Sequence, residues 1–314
     1  MSPTAGITVA VVGARDVAKE FGKKGTASDV TLFNHVEEDH ALTLVEPTQY
    51  PDKFPPLLYA IEMADRVLFV VDALKREVAE TATVLDLAER PLTISHGNAV
   101  GEEELRRAFK GMRLTNEPMR AYDPVHLREA MAGWTVPAGV GPTRVPLDHA
   151  FPVKGVGAVA LGIVRGGPLE AHARLRLFPT DHEVEIRSIQ VHDVDVRSAT
   201  TGDRVGVALK GVEAEELSRG QVLAPAGALE VGSTLVGRDL RRALYYRGTL
   251  AVGGQFNLAV GLQLVPTRLD SVGPEELRLV TDRPVAFRTG EPAFLADLSA
   301  PAGPRLAARV RLHL

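Results

Sequence analysis

The sequence predicts an α/β domain with a parallel sheet, followed by all-β structure in two units. Residues 7 to about 135 alternate short apolar runs with helix-like segments, which is the pattern of βαβ units. After Pro146 the pattern changes to short strands separated by Gly, Pro and Asp turns, as in an antiparallel barrel or sandwich. A chain of 314 residues also exceeds what one hydrophobic core usually organises.

The individual elements follow from local composition. Runs rich in Val and Leu, bounded by turn residues, predict buried strands over 7–12, 41–45 and 67–71. Helical spacing of apolar and charged residues predicts helices over 57–65, 75–90 and 102–112. Residues 142–146 resemble a linker, and the Ala-Pro-Ala-Gly segment at 224–227 predicts a joint between the two all-β units.

Composition excludes several classes of protein. Hydrophobic residues make up 45% and charged residues 24% of the chain, as in ordinary globular proteins rather than disordered or membrane proteins. No basic segment precedes the first strand, so we expect a cytoplasmic protein that does not contact a membrane. With no Cys and only scattered His, any metal should be oxygen-bound. The net charge of −4 confines any RNA contact to a local surface.

Four ordered blocks occupy the middle of the chain. They are FPVKGVGAVALGIVRGG from residue 151, RSIQVH from 187, GDRVGVALKGV from 202 and RGQVL from 219. Singly they have structural explanations, since Gly155 and Gly157 permit tight backbone geometry and 166–167 a hairpin turn. As an ordered set they resemble domain 2 of elongation factor Tu, SelB and the archaeal initiation factor 2 gamma subunit.

This resemblance to translational GTPases implies an α/β plus all-β fold of three domains. A degenerate GTP-binding domain, with the parallel sheet of P-loop NTPases, would occupy residues 1–141. A β-barrel similar to domain 2 of elongation factor Tu would occupy 142–227, and a second antiparallel β-barrel, similar to its domain 3, would occupy 228–314.

The segment after the first strand resembles a phosphate-binding loop of pattern G-x-x-x-x-G-K-[ST]. Lys19 matches the lysine, Ala18 replaces the second glycine, and Glu20 replaces the hydroxyl residue. A carboxylate at 4 Å from a phosphate costs about 4 kcal/mol at an effective dielectric near 20. Two alternatives therefore stay open: Glu20 binds Mg²⁺, or the triphosphate site is lost.

The later nucleotide motifs are also altered. A short helix is expected after the loop, and then Thr26 matches the threonine that senses the γ-phosphate. Glu46 stands for the aspartate of Asp-x-x-Gly, Gln49 for its glycine, and Tyr50 for the histidine that positions water. No residue in 92–98 supplies the aspartate that reads guanine. We therefore expect GTP hydrolysis to be very slow or absent.

The resemblance also implies a set of ligands and contacts. GTP and Mg²⁺ would be the cofactors, with Mg²⁺ at Glu20 and Thr26. The residues expected at the nucleotide are Gly13, Asp16, Val17, Ala18, Lys19, Glu20, Thr26 and Glu46. A tRNA end would meet Asp203, Arg204 and Lys210, although each could equally be a turn or surface residue.

These features together predict a monomeric elongation-factor-like protein that binds guanine nucleotide and aminoacyl-tRNA, with the ribosome as a further partner. A basic cluster in the last third is open to two interpretations, RNA-backbone contact or a solvated surface, and comprises Arg238, Arg241, Arg242 and Arg247. Two alternative functions remain: a slow but functional translational GTPase, and a ribosome-docking protein that needs no nucleotide.

Overall fold

A computed structural model describes residues 5–37, 40–137, 139–180, 182–300 and 303–314. The amino-terminal domain is built on a seven-stranded sheet of order β2-β3-β4-β1-β5-β6-β7. Its strands are β1 Ala5–Gly13, β2 Lys23–Ala27, β3 Thr31–Glu37, β4 His40–Glu46, β5 Arg66–Val71, β6 Leu92–His96 and β7 Met119–Ala121. Strands β4, β1, β5, β6 and β7 are parallel, as predicted, whereas β2 and β3 add an antiparallel hairpin at one edge.

The helices of this domain agree with the predicted positions to within a few residues, with two differences. They are α1 Pro55–Met63, α2 Arg76–Ala88, α3 Glu102–Ala108 and α4 Pro124–Ala132. Helix α3 ends earlier than predicted and is followed by a 3₁₀ turn at Arg113–Asn116. Helix α4 was not predicted, although its start is marked by Asp123, whose carboxylate accepts from the Val125 and His126 N–H groups.

The helix expected after the phosphate-binding loop is reduced to a three-residue 3₁₀ turn, Ala18–Glu20. The chain then enters β2 at Lys23. Residues 14–22 are too few to run an α-helix along the sheet at 1.5 Å per residue and still return to its edge. The strand and the turn of the predicted strand-turn-helix unit are therefore present, but the helix is not.

Strands 8 to 16 form the middle domain, a closed antiparallel barrel. They are β8 Val145–Val153, β9 Gly157–Ile163, β10 Leu169–Glu170, β11 Arg174–Phe178, β12 His182–Val191, β13 Val194–Val196, β14 Ser198–Ala199, β15 Arg204–Lys210 and β16 Val222–Ala224. The barrel order is β11-β16-β8-β9-β15-β12, and the pairing of β12 with β11 closes it. Strand β8 begins inside the segment predicted as a linker.

A second closed barrel follows, of order β17-β20-β19-β18-β21-β22. Its strands are β17 Glu230–Arg242, β18 Gln255–Val260, β19 Gln263–Val272, β20 Leu277–Phe287, β21 Pro292–Ala296 and β22 Leu306–His313. The prediction of two antiparallel β-barrels after a parallel-sheet domain is thus confirmed. Within the described residues, every helix is too short or too polar to span a lipid bilayer.

The amino-terminal domain and the last barrel share one hydrophobic core. Buried Phe54 and Leu57, at the start of helix α1, belong to the same cluster as Phe294 and Leu306 of the last barrel. Burial of apolar side chains is worth roughly 25 cal/mol per Å². Helices α1 and α2 therefore pack against the last barrel, and Tyr59 of α1 also meets Arg219 of the middle barrel.

Candidate functional site

The carboxyl ends of the parallel strands β1, β4 and β5 surround a cleft of about 420 Å³. In open parallel sheets, ligands bind at this edge. The lining side chains that carry charge are Arg15, Asp16, Glu46, Asp72, Lys75 and Glu77. Four acidic and two basic residues thus line the cleft in which the sequence predicts a nucleoside triphosphate.

The turn after β1 depends on Gly13. This residue has φ of 95°, and a Cβ built on it would lie 2.1 Å from the Val70 carbonyl oxygen. The next residue, Ala14, donates its N–H to that same oxygen at 2.8 Å. Only glycine therefore fits where the loop crosses from β1 over the end of β5.

The loop amides are already occupied by a carboxylate of the protein. The Ala18 N–H donates to Glu46 Oε1 at 2.7 Å, and the Val17 N–H also contacts the Glu46 carboxylate. In phosphate-binding loops, such backbone N–H groups point at a phosphate. Glu46, at the end of β4, takes the position of that anion.

Electrostatics in the cleft oppose a bound phosphate. Burial raises the pKa of Glu46, and the nearby Asp16 raises it further, while the N–H groups of Ala18 and Val17 and the charge of Lys19 act in the opposite direction. A phosphate would have to displace Glu46 from the loop amides and then lie beside Asp72 and Glu77. Each such contact costs about 4 kcal/mol at 4 Å and a dielectric near 20.

The other predicted nucleotide ligands do not converge on this cleft. Lys19 points outward, 60% exposed, with its Nζ 3.4 Å from Asp16 Oδ1. Glu20 is exposed, and Thr26 lies on β2; neither lines the cleft. Among the described residues, no group of three or more His, Asp or Glu side chains is arranged to hold a metal ion. The predicted ligands Lys19, Glu20 and Thr26 therefore do not meet at this cleft.

Tyr50 borders the strand-end cleft, but its hydroxyl points to helix α2. It is 7% exposed, and its hydroxyl donates to the Glu77 carbonyl at 2.7 Å. The hydroxyl of Thr81 donates to the Tyr50 oxygen at 3.3 Å. Burial raises the pKa of the Tyr50 phenol, so the phenol stays protonated. Its hydroxyl is thereby tied to helix α2.

A second and larger cavity lies between the β2–β3 hairpin and the middle barrel. This interdomain groove has a volume of about 1010 Å³. The amino-terminal domain contributes Lys23, Lys24, Gly25, Asn34 and Val36. The barrel contributes Phe151, Val153, Val156, Val159, Leu161, Ser188, Gln190, His192, Asp193, Asp195, Arg204, Val205, Gly206 and Ala208.

The interdomain groove has walls of opposite charge. Lys23 and Lys24 are exposed and, within the described ranges, form no ion pair. On the barrel side stand Asp193 and Asp195, both exposed. The groove floor offers apolar surface, for example Phe151, which is 41% exposed. The arrangement suits a ligand that carries both negative and positive groups and an apolar or aromatic part.

The residues predicted to meet a tRNA end lie in three different environments. Asp203 is 1% exposed, and its carboxylate accepts from the Thr200 N–H at 2.6 Å. It packs against β1, since a Cβ on Gly6 would lie 2.9 Å from Asp203 Cα. Arg204 lines the groove but donates to both oxygens of Asp148 at 2.8 Å. Lys210 is exposed and lies 3.7 Å from Glu185.

Of these three, only Arg204 borders the interdomain groove, so the predicted roles of Asp203 and Lys210 remain predictions that the geometry does not support. Sequence reasoning missed the acidic wall, since one aspartate in a turn, Asp193, and one on the short strand β13, Asp195, carry no distinctive pattern. Lys23 and Lys24 belong to no motif and were not singled out. The structure shows both lysines exposed on β2, the edge strand of the β2–β3 hairpin.

The family of the chain follows from its relatives. The family model "Elongation factor Tu domain 2" matches residues 157–224, which run from β9 to β16. MJ0325 of Methanocaldococcus jannaschii, described as uncharacterized, is 35% identical over 302 residues, covering 94% of this chain and 96% of that protein. The selenocysteine-specific elongation factor of the same organism is 27% identical, covering 88% of this chain and 63% of that protein. The chain belongs to the translational GTPase superfamily and is SelB-like.

The fold of this SelB-like protein matches a solved relative over nearly its whole length. Translation elongation factor SelB from Methanococcus maripaludis, in complex with the GTP analogue GppNHp, superposes with a TM-score of 0.83 at 20% identity. The match covers 99% of this chain and 79% of that one. This SelB-like chain thus keeps the three-domain architecture of an elongation factor, while Glu46 fills its phosphate-binding loop.

Proposed function

We propose that this elongation-factor-like protein holds the aminoacylated 3′ end of a tRNA in the interdomain groove and does so without a cycle of GTP hydrolysis. The observation that carries the proposal is the pair of oppositely charged walls. An aminoacylated RNA end bears phosphates, an ammonium group and a terminal base. Lys23 and Lys24 suit the phosphates, Asp193 and Asp195 suit the ammonium group, and Phe151 offers a surface on which a base stacks.

The second half of the proposal rests on the strand-end cleft. Glu46 occupies the loop amides, Lys19 points to solvent, and Tyr50 is buried. Phosphoryl transfer needs charge neutralisation on the phosphate and a positioned nucleophile. Neither is provided, so we expect no GTP turnover, with or without ribosomes. Weak guanine-nucleotide binding, if it occurs, would require Glu46 to leave the loop.

Filter binding with charged and uncharged tRNA tests the groove. Aminoacyl-tRNA should bind more tightly than the same tRNA deacylated, and affinity should be equal with GTP, GDP or no nucleotide. Replacing Lys23 and Lys24 together by Ala should weaken binding of both forms and lower the slope of log affinity against log salt by about one to two. The matched control replaces two exposed lysines elsewhere, Lys53 and Lys110, and should leave the slope unchanged.

The acidic wall has its own readout. Replacing Asp193 and Asp195 by Asn should reduce the preference for charged over uncharged tRNA and leave affinity for uncharged tRNA intact. Equal weak affinity of the wild-type protein for both RNAs would refute the proposal. Sedimentation with ribosomes that is independent of both tRNA and nucleotide would instead favour a docking protein.

A further inference from the structure

Three side chains from two domains form a hydrogen-bonded series beside the interdomain groove. Ser28 lies in the turn between β2 and β3, whereas Asp148 and His149 are adjacent on β8. His149 Nε2 is 3.1 Å from Ser28 Oγ, and His149 Nδ1 is 2.9 Å from Asp148 Oδ2. A hydroxyl, an imidazole and a carboxylate in this order form the geometry by which serine nucleophiles are activated.

The carboxylate fixes the state of the imidazole. Burial alone would raise the pKa of Asp148, but the Arg204 guanidinium and His149 hold it below its usual range. Arg204 donates to both Asp148 oxygens at 2.8 Å, so the carboxylate is ionised and rigidly oriented. An ionised carboxylate is only an acceptor, so neutral His149 must carry its proton on Nδ1. Its Nε2 is then a base directed at Ser28.

The outer end of the series is open to a substrate. Ser28 is exposed, whereas Asp148 is 1% exposed. Ser28 Oγ also lies 3.0 Å from Asp29 Oδ1 and 3.2 Å from the Val30 carbonyl. Asp29 already receives both guanidinium nitrogens of Arg219, at 2.6 and 2.7 Å. In the structure the Ser28 hydroxyl donates to Asp29, and Asp29 keeps its two Arg219 donors when that proton turns to His149 Nε2.

The series borders the groove proposed to hold the aminoacyl end. In the pairing of β8 with β9, His149 faces Leu161 and Phe151 faces Val159. Phe151, Val159 and Leu161 all line the groove. His149 therefore lies on the same face of the β8–β9 pair as these lining residues, which places the series next to the groove floor.

We propose that Ser28 and His149, with Asp148 as the positioning residue, form a hydrolytic site that cleaves an acyl ester held in the interdomain groove. Ser28 Oγ attacks the ester carbonyl carbon while its proton passes to His149 Nε2. The C–O bond to the leaving ribose oxygen then breaks, and that oxygen takes the proton from His149. A water molecule then attacks the acyl-serine carbonyl carbon as His149 Nε2 takes its proton. The acyl C–Oγ bond breaks, Ser28 Oγ takes that proton from His149, and the carboxylic acid is released. The choice of an aminoacyl ester as substrate rests on the proposed function.

A fluorophosphonate probe tests the nucleophile without any tRNA. Ser28 should displace fluoride and become phosphonylated, which mass spectrometry of the digested full-length protein would locate. Ser28→Ala should abolish labelling, and His149→Gln should slow it by about 10²-fold or more. Ser299 is the matched control, because it is an exposed serine whose hydroxyl donates to Asp297 Oδ1 at 2.8 Å and for which no histidine contact is found within the described residues. Ser299→Ala should leave labelling of Ser28 unchanged.

Deacylation of aminoacyl-tRNA, followed with radiolabelled amino acid, tests the substrate. Wild type should accelerate ester loss about 10²-fold or more over Ser28→Ala, with tRNA binding equal in both. No labelling and equal ester loss, with tRNA still bound, would overturn this inference and leave the proposed function standing. Labelling of Ser28 without tRNA binding would support the triad and refute the proposed function. Labelling and tRNA binding without deacylation would overturn the hydrolytic site.

Discussion

The Ala18 N–H donates to Glu46 Oε1 at 2.7 Å, so an amide of the phosphate-binding loop is bonded to a carboxylate from the neighbouring strand. The bond joins the loop that follows β1 to the end of β4, and the two strands are adjacent and parallel. Because the acceptor is part of the chain, this loop amide has a partner without any nucleotide.

Removing the Glu46 carboxylate should make the loop available to anions. We expect Glu46→Ala to bind pyrophosphate at least about 10-fold more tightly than wild type, since one unfavourable charge contact of a few kcal/mol is lost. Isothermal titration with pyrophosphate and GTP would measure this. Glu77→Ala removes an acid that lines the same cleft, and its side chain makes no hydrogen bond to the loop in the described structure. An equal gain in pyrophosphate affinity in both variants would show that the bond between Glu46 and the loop amide does not itself oppose anion binding.

The raised pKa of Glu46 also predicts a dependence of stability on pH. Because the folded-state pKa lies above the unfolded value of about 4.3, the stabilising contribution is complete below that value. It is lost as pH rises through the folded pKa, where the buried carboxyl must ionise. Glu46→Gln keeps an acceptor for Ala18 without the charge. We expect its Tm to exceed that of wild type by about 1–3 °C at pH 8 and the difference to vanish near pH 4.

Calorimetry of both proteins across this range would measure the difference. Gln263→Glu would not serve as a control, because Gln263 is buried. The matched control is Glu276→Gln, which alters an exposed carboxylate paired with Arg238 at 3.2 Å. That control should show no such trend. A Tm difference that grows toward acid would contradict the assignment.

Periodicity sufficed for the parallel sheet and for the change to antiparallel strands, whereas the two barrels were predicted from the resemblance of residues 151–223 to elongation factor Tu. Val-rich strands such as β5, and strands separated by glycine turns as in the middle barrel, are short-range patterns. Such patterns can be recognised in a single sequence. The loop at Gly13 was also located from its place after the first strand. Helix α4 was missed because its apolar positions are few, with only Leu127 and Met131 buried.

The sites could not be predicted to the same depth, since they depend on contacts between distant segments. Glu46 was identified as an altered switch residue, but its bond to Ala18 joins residues 28 positions apart. The meeting of Ser28 with His149 spans 121 positions and requires the docking of two domains. Asp203 matched a family motif, yet the packing of β1 buries it. Motifs indicate residue types at positions, whereas exposure and partners are set by tertiary packing.

The contact between the amino-terminal domain and the last barrel should depend strongly on Arg305. Its guanidinium meets Glu80 at 2.6 and 3.0 Å, its backbone N–H donates to the same carboxylate at 2.8 Å, and it lies 5.1 Å from the Phe54 ring. Arg305→Ala leaves Glu80, whose side chain is 6% exposed, without its counter-charge. We expect a loss of about 3–5 kcal/mol in the free energy of unfolding.

Denaturant unfolding of the full chain would measure this loss. Arg268→Ala is the matched control, because Arg268 and Asp270 lie 3.6 Å apart with half of each side chain exposed, and it should cost at most about 0.5 kcal/mol. The double variant Arg305→Met, Glu80→Gln should recover part of the lost stability, since no buried charge is then left unpaired. Equal losses for Arg305→Ala and the control would exclude a buried pair.

The pair formed by Arg219 and Asp29 should make the docking of the β2–β3 hairpin sensitive to acid. Both guanidinium nitrogens meet the Asp29 carboxylate, at 2.6 and 2.7 Å, and the guanidinium lies 4.7 Å from the Tyr59 ring. Burial would raise the pKa of Asp29, but Arg219 lowers it by more. The contribution to stability is therefore complete above the unfolded pKa of about 3.9 and is lost as pH falls through the folded value.

Arg219→Lys removes the planar two-nitrogen contact and the stacking on Tyr59, at a cost of about 1–2 kcal/mol. Hydrogen exchange of the β2 and β3 amides should accelerate in this variant at pH 7, and Asp29→Asn should accelerate it similarly. Wild type should approach the variants as the pH is lowered below about 4, because protonated Asp29 no longer attracts Arg219 as an ion. Hairpin exchange that is the same in wild type and Arg219→Lys at pH 7 would show that the pair does not hold the hairpin on the middle barrel.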